Sequence, residues 1–85
     1  MIGRRIYPNE QGRLSFAPGD YGKTTEGIWR ARPPDPDAHM GDLTNHTVVE
    51  HADGTISVSP SILIQAGTGR PSWHGFLERG VWRKA

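Results

Sequence analysis

A chain of 85 residues is enough for one small domain, and ten Lys/Arg against nine Asp/Glu leave a net charge of +1, a smaller basic excess than a dedicated nucleic-acid binder carries. The absence of cysteine excludes disulfides and cysteine-ligated zinc and fits a reducing compartment. The longest apolar run, Ile62-Leu63-Ile64, is far short of the ~20 residues that span a bilayer, and the opening "MIGRRIYPNEQG" has no apolar stretch behind its arginine pair, so no signal peptide is read and the cytoplasm is expected.

The charge is unevenly spread. Residues 1–32 carry six Lys/Arg and three acids, residues 33–69 five acids and no Lys/Arg, and residues 70–85 four Lys/Arg and one acid. Basic ends around an acidic middle imply internal complementarity, or a homo-oligomer of alternating charge. Binding of nucleic acid through Arg4, Arg5, Arg79, Arg83 and Lys84 would require those cations to converge on one face.

Gly and Pro interrupt every window with helical periodicity, and short β segments between turn signals describe the chain better. In "RRIYPNEQGRLSF", Ile6 and Tyr7 are expected to pair with Arg13 to Phe16 across a long turn. "FAPGDYGKTTEG" reads as a loop on its Pro-Gly and Tyr-Gly pairs. "RARPPDPDAHMGDLTN" holds three prolines in four residues, so it reads as extended and exposed. Residues 33–41 are expected to be the most mobile internal segment, and Asp42 to Asn45 to form one helical turn.

The strongest signal is "HTVVEHADGTISVS". Ala52-Asp53-Gly54 suits a three-residue loop ending in a glycine at positive φ, which sets Val48 opposite Val58 and Glu50 opposite Ile56. A two-residue Asp-Gly loop would shift the register by one and reverse the face of the strand. Ile56 and Val58 point to the core in either register. In "SWHGFLERGVWRK", a three-residue Glu78-Arg79-Gly80 loop pairs Leu77 with Val81 and Phe76 with Trp82. That puts His74, Phe76 and Trp82 on one face, with Trp82 buried against Phe76 and the 62–64 run.

Pro60 divides the alternating Thr55–Ser59 stretch from the non-alternating Ile62–Ile64 stretch. Proline cannot donate to a ladder, so the chain should bend there and leave one sheet for another. Ser59 and Ser61 flank the bend and can satisfy backbone groups or face a ligand. Of the four histidines, His39 is expected to be solvated, and His46 and His51 to face opposite sides of their strand. A zinc site would need His74, one strand histidine and Asp53 or Glu50; the spacing announces none, and neither a metal nor a cofactor is assigned. Gly75 beside His74 permits close approach of backbone or ligand. If the final hairpin returns beside the 55–64 stretch, His74 comes within hydrogen-bond reach of Ser59 or Ser61. A Ser61–His74 nucleophile and base pair is conceivable, but no G-x-S-x-G elbow is present.

"ISVSPSILI" followed by "WHGFLERGVW" resembles a family of short phage and prophage proteins with a Ser-Pro-Ser-Ile segment, a histidine followed by an aromatic, and a Gly-containing hairpin. The matching positions are Ser59, Pro60, Ser61, Ile62, His74, Phe76 and Gly80, within residues 46–83. Relatives often carry cysteines near the histidine, where this chain has none. The resemblance implies a phage or prophage accessory protein working in the host cytoplasm.

Together these readings give an all-β domain, an antiparallel meander of five or six short strands with long irregular loops. The expected function is a non-catalytic protein-binding module whose partner is a host or phage protein, with Ser59, Ser61, His74 and Trp73 as contact residues. The alternative is a small ligand-binding or hydrolase-like domain centred on Ser61 and His74.

Overall fold

In the computed structural model, which describes residues 1–64 and 72–85, nine short strands form three mostly antiparallel sheets, with no helix among the described residues. β1 (Arg4–Ile6), β2 (Asp20–Lys23), β3 (Trp29–Ala31) and β4 (Gly41–Asp42) form one sheet in that order. β5 (Thr47–Glu50) and β6 (Ile56–Ser59) form a hairpin. β7 (Ile62–Ile64), β8 (Trp73–Glu78) and β9 (Val81–Lys84) form the third sheet, with β8 in the centre. The all-β expectation holds, but there are more strands than five or six and they do not make one meander.

The three sheets enclose a core of Tyr21, Ala31, Leu43, Ile56, Val58, Ile62, Ile64, Trp73, Leu77 and Trp82, capped by Ala38. The β5–β6 hairpin has the three-residue loop and the register favoured from sequence: Val48 opposes Val58, Glu50 opposes Ile56, and Gly54 has φ +88°. His51 N–H donates to Thr55 O, and Gly54 N–H to His51 O, closing the loop. Ile56 and Val58 are buried.

Several expectations change. The chain turns at Asn9, whose Oδ1 accepts the N–H groups of Gln11 and Arg13. It does not zip back on itself: β1 pairs with β2 in parallel, Arg4 opposite Asp20, and the ion pair between those two side chains fixes the register. Asp20–Lys23, read as loop, is therefore a strand, and its partner β3 overlaps the start of the stretch read as extended and exposed.

The proline-rich segment is partly packed rather than wholly exposed: Pro36, Asp37, His39 and Met40 face solvent, but other residues do not. Pro33 is fully buried, Ala38 belongs to the core, and Arg32 donates to the carbonyls of Phe16 and Pro36. After β4 the chain makes a tight turn, Leu43 O accepting His46 N–H, in place of a helical turn. Prolines exclude a ladder but not burial, and that distinction accounts for the difference.

The last hairpin has a two-residue loop. Arg79 (φ +45°) and Gly80 (φ +75°) form a turn with both central residues at positive φ, so Leu77 opposes Trp82 and Phe76 opposes Arg83. The tighter turn matches the twist of the strands. It also reverses the pairing: Phe76 shares the outer face with His74, and Trp82 lies on the inner face. Trp82 is 2% exposed, buried as expected, but its ring packs edge-on against Trp73 at 5.3 Å instead of against Phe76.

Candidate functional site

The chain leaves β6 at Ser59, crosses Pro60 through a cis peptide bond, and joins a different sheet at Ile62. Ser57, Ser59 and Ser61 follow at alternate positions, so the hairpin's outer face continues across the bend. β8 runs beside it and presents His74, Phe76 and Glu78 outward, because Trp73, Gly75 and Leu77 face the core.

Two histidines hold Ser61. His74 Nε2 lies 2.8 Å from Ser61 Oγ, and His46 Nε2 lies 3.1 Å from Ser61 O. A carbonyl only accepts, so His46 carries its proton on Nε2; its buried Nδ1 has no partner among the described residues. His46 precedes β5 and His74 sits on β8, so one serine after the bend ties the hairpin to the third sheet. The expected approach of His74 to the bend is thus present, to Ser61 rather than Ser59.

A second serine–histidine pair lies further along the same face. His51 Nε2 is 2.8 Å from Ser57 Oγ, which also accepts Arg79 N–H at 3.0 Å. The signal for this pair was in the sequence: the three-residue loop register places His51 and Ser57 diagonally opposite on one face. Asp53, two residues on, caps Thr55; the Thr55 hydroxyl first, and then its N–H, hold the Asp53 carboxyl below the usual carboxylate range.

Between the two pairs runs an open groove of about 430 Å³. Val49, Pro60 and Phe76 make its apolar part, and Thr47, Ser57, Ser59, Ser61 and Glu78 its polar part. Val49 is 52% exposed. Phe76 is fixed from one side by the Arg83 guanidinium, 4.4 Å from the ring centre, and Arg83 in turn holds Glu78.

Of the residues singled out from sequence, Ser59 and Ser61 line the groove and His74 adjoins it through Ser61. Trp73 does not join them: it lies on the inner face of β8, buried in the core against Trp82. The cations named for nucleic acid do not share one face. Arg4 and Arg5 alternate across β1, and Arg4, Arg5 and Arg83 are paired with Asp20, Glu50 and Glu78. Among the described residues no cluster of three His, Asp or Glu could hold a metal ion.

Ser61 Oγ and His74 Nε2 have the separation of a nucleophile and its base. The His74 ring has no second hydrogen-bond partner among the described residues to orient it. What the arrangement offers is a line of hydroxyls, oriented at both ends by histidines, next to an apolar floor. No family model, curated protein or solved structure matches the chain.

Proposed function

We propose that the chain is a non-catalytic protein-binding module that takes an extended segment of a partner protein in the groove between the β5–β6 hairpin and β8. The observation that carries this reading is the groove itself. Its apolar part seats a side chain on Val49 and Phe76. Its serine line offers donors and acceptors to the peptide groups of an extended chain, whose spacing along a strand matches that of alternate residues. The phage or prophage setting, the host cytoplasm, and a host or phage protein as partner rest on the resemblance of Ser59-Pro60-Ser61-Ile62, His74, Phe76 and Gly80 alone.

The test is capture from a lysate of the candidate host on immobilised protein, in parallel with Val49→Glu and Phe76→Ser, and with Lys23→Glu as a control on another sheet. Proteins retained by wild type and the control but lost with both groove variants support the reading. Retention that ignores the groove variants overturns it.

A second reading has one specific observation behind it, the 2.8 Å Ser61–His74 bond. It takes the chain for a small hydrolase or ligand-binding domain centred on those two residues. Hydrolysis of p-nitrophenyl acetate above the imidazole background, abolished by Ser61→Ala, would establish it in place of the binding module.

A further inference from the structure

On the first sheet, residues 12–17 cross the outer face instead of pairing with it. Gly22 on β2 makes room: Leu14 Cδ2 lies 3.4 Å from where a Cβ on Gly22 would stand. Two neighbouring grooves, of about 370 and 350 Å³, flank this crossing and share Leu14, Phe16 and Met40. The apolar ridge is bordered by cations. Arg13 and Arg30 line one groove, Arg32 and His39 the other.

These arginines are not equivalent. Arg32 is committed to the carbonyls of Phe16 and Pro36 and so braces the ridge. The guanidiniums of Arg13 and Arg30 make no hydrogen bond or ion pair with any described residue, in contrast to Arg4, Arg5 and Arg83. Asp42 stands opposite Arg30 across the β3–β4 ladder, but its Oδ1 is taken by Thr44 N–H. Glu26, the carboxylate lining the same groove, accepts from Thr25 Oγ1 and interacts with Arg30 through space without an ion pair, so Arg13 is the less compensated of the two arginines.

We infer that this face binds an acidic, extended segment of a partner protein in which carboxylates alternate with large apolar side chains. Unpaired guanidiniums beside an apolar ridge match that chemistry: the fork of each arginine takes a carboxylate, and Leu14, Phe16 and Met40 take the apolar side chains. Nucleic acid fits less well. Binders of single strands stack successive bases on several rings, and Phe16 is the one aromatic ring lining these two grooves. A second copy of the chain also fits less well. Its Glu50 and Glu78 are held by Arg5 and Arg83, and Asp35, Asp42 and Asp53 cap backbone N–H groups in their own turns.

The surface lies on a different sheet from the groove of the proposed function, so the two readings fail separately. The test is an amide-resolved NMR titration of the full chain with the acetylated, amidated octapeptide Glu-Asp-Leu-Glu-Phe-Asp-Leu-Glu. Its lysine counterpart, every acid replaced by Lys, and a short oligothymidine serve as competing probes. Expected are shifts in residues 12–16, 24–30 and 38–40, and roughly tenfold weaker binding for Arg30→Glu and for the loop variant Arg13→Glu, growing weaker with salt. Arg13 lies outside any ladder, so its variant keeps the test open if Arg30→Glu does not fold. The inference is overturned by any of four results: no shift at about 1 mM peptide, shifts confined to residues 47–61 and 74–78, equal affinity for the Arg13→Glu variant, or preference for the lysine peptide or oligothymidine.

Discussion

Arg5 joins two sheets through one guanidinium. From the inner face of β1 its Nη1 reaches Glu50 Oε2 at 2.9 Å and Gly54 O at 2.8 Å, at the tip of the β5–β6 hairpin. The rings of Tyr7 and Trp29 lie over it at 4.5 and 4.8 Å. The side chain is 13% exposed and Glu50 46%, so removal of Arg5 leaves a carboxylate that water can reach. Arg5→Ala should therefore cost about 2 kcal/mol, the upper range for charge-assisted hydrogen bonds and not that of a fully buried ion pair. Arg5→Lys should restore less than half, because an ammonium neither forks nor stacks as a guanidinium does. Urea midpoints of the three proteins check both. Asp53 gives the matching expectation for pH. Its carboxyl pKa is lowered in the folded protein by Thr55, so the stability it contributes is present above its unfolded pKa and is lost as pH falls through the folded one. The difference in melting temperature between wild type and Asp53→Asn should be constant at neutral pH, begin to shrink as pH falls through about 4, where the unfolded carboxylate titrates, and level off only below the lowered folded pKa.

At the scale of elements, the two tight turns show what local sequence can and cannot decide. "ADG" led to the right loop length because glycine at the third position and alanine at the first admit one low-strain arrangement, and Gly54 takes the expected positive φ. "ERG" has the same form, yet its loop is one residue shorter. Glycine fixes where positive φ ends but not where it begins, and Arg79 carries the strain of a second positive φ. The burial of Leu77 and Trp82 on the same inner face decides between the loops, and that pairing is visible only once the other sheets are in place. Arg79→Asn, a residue tolerant of that conformation, should stabilise by about 1 kcal/mol, read from the urea midpoint. Gly80→Ala should destabilise, since its Cβ would come within 2.7 Å of the Tyr21 hydroxyl. Among the site residues, the Ser61–His74 contact followed from the bend at Pro60 and the return of the last hairpin. The outward turn of Phe76 and the inward turn of Trp73 did not, because both depend on the shorter loop. The first sheet was the least legible: β1 and β2 pair in parallel across a 13-residue connection, Tyr7 to Gly19, and no local pattern marks a partner that distant.

At the scale of the whole molecule, the first residues of the chain close the structure against its last strand. Gly3 N–H donates to Gly80 O at 2.7 Å, Trp82 N–H to Met1 O at 2.7 Å, and the Met1 ammonium to Trp82 O at 3.0 Å. The outer edge of β9 is thereby covered, and the crossing brings Gly3 against the buried Trp82 indole. Trp82 Nε1–H donates to Gly19 O, which also accepts Arg4 N–H. One position thus links the N-terminal segment, the start of β2 and the last hairpin. A Cβ on Gly3 would stand 2.7 Å from Trp82 Nε1 and 2.8 Å from Gly19 O. Neither neighbour can yield easily, since the indole is packed edge-on against Trp73 and the carbonyl belongs to backbone held by two donors. Gly3→Ala should therefore cost about 1–3 kcal/mol by overpacking, although it adds one methyl group to an otherwise exposed segment. Trp82→Phe separates packing from hydrogen bonding at the same place. It removes the indole N–H but leaves Gly19 O paired with Arg4, so no buried acceptor is orphaned and the hydrogen-bond loss is about 1 kcal/mol. If the closure works as described, Trp82→Phe should also relieve the crowding at Gly3. The double variant should then be less destabilised than the sum of the two single ones, a coupling of roughly 1 kcal/mol measured in a double-mutant cycle. Strict additivity would show that the N-terminal segment and the last hairpin do not meet at the Trp82 indole.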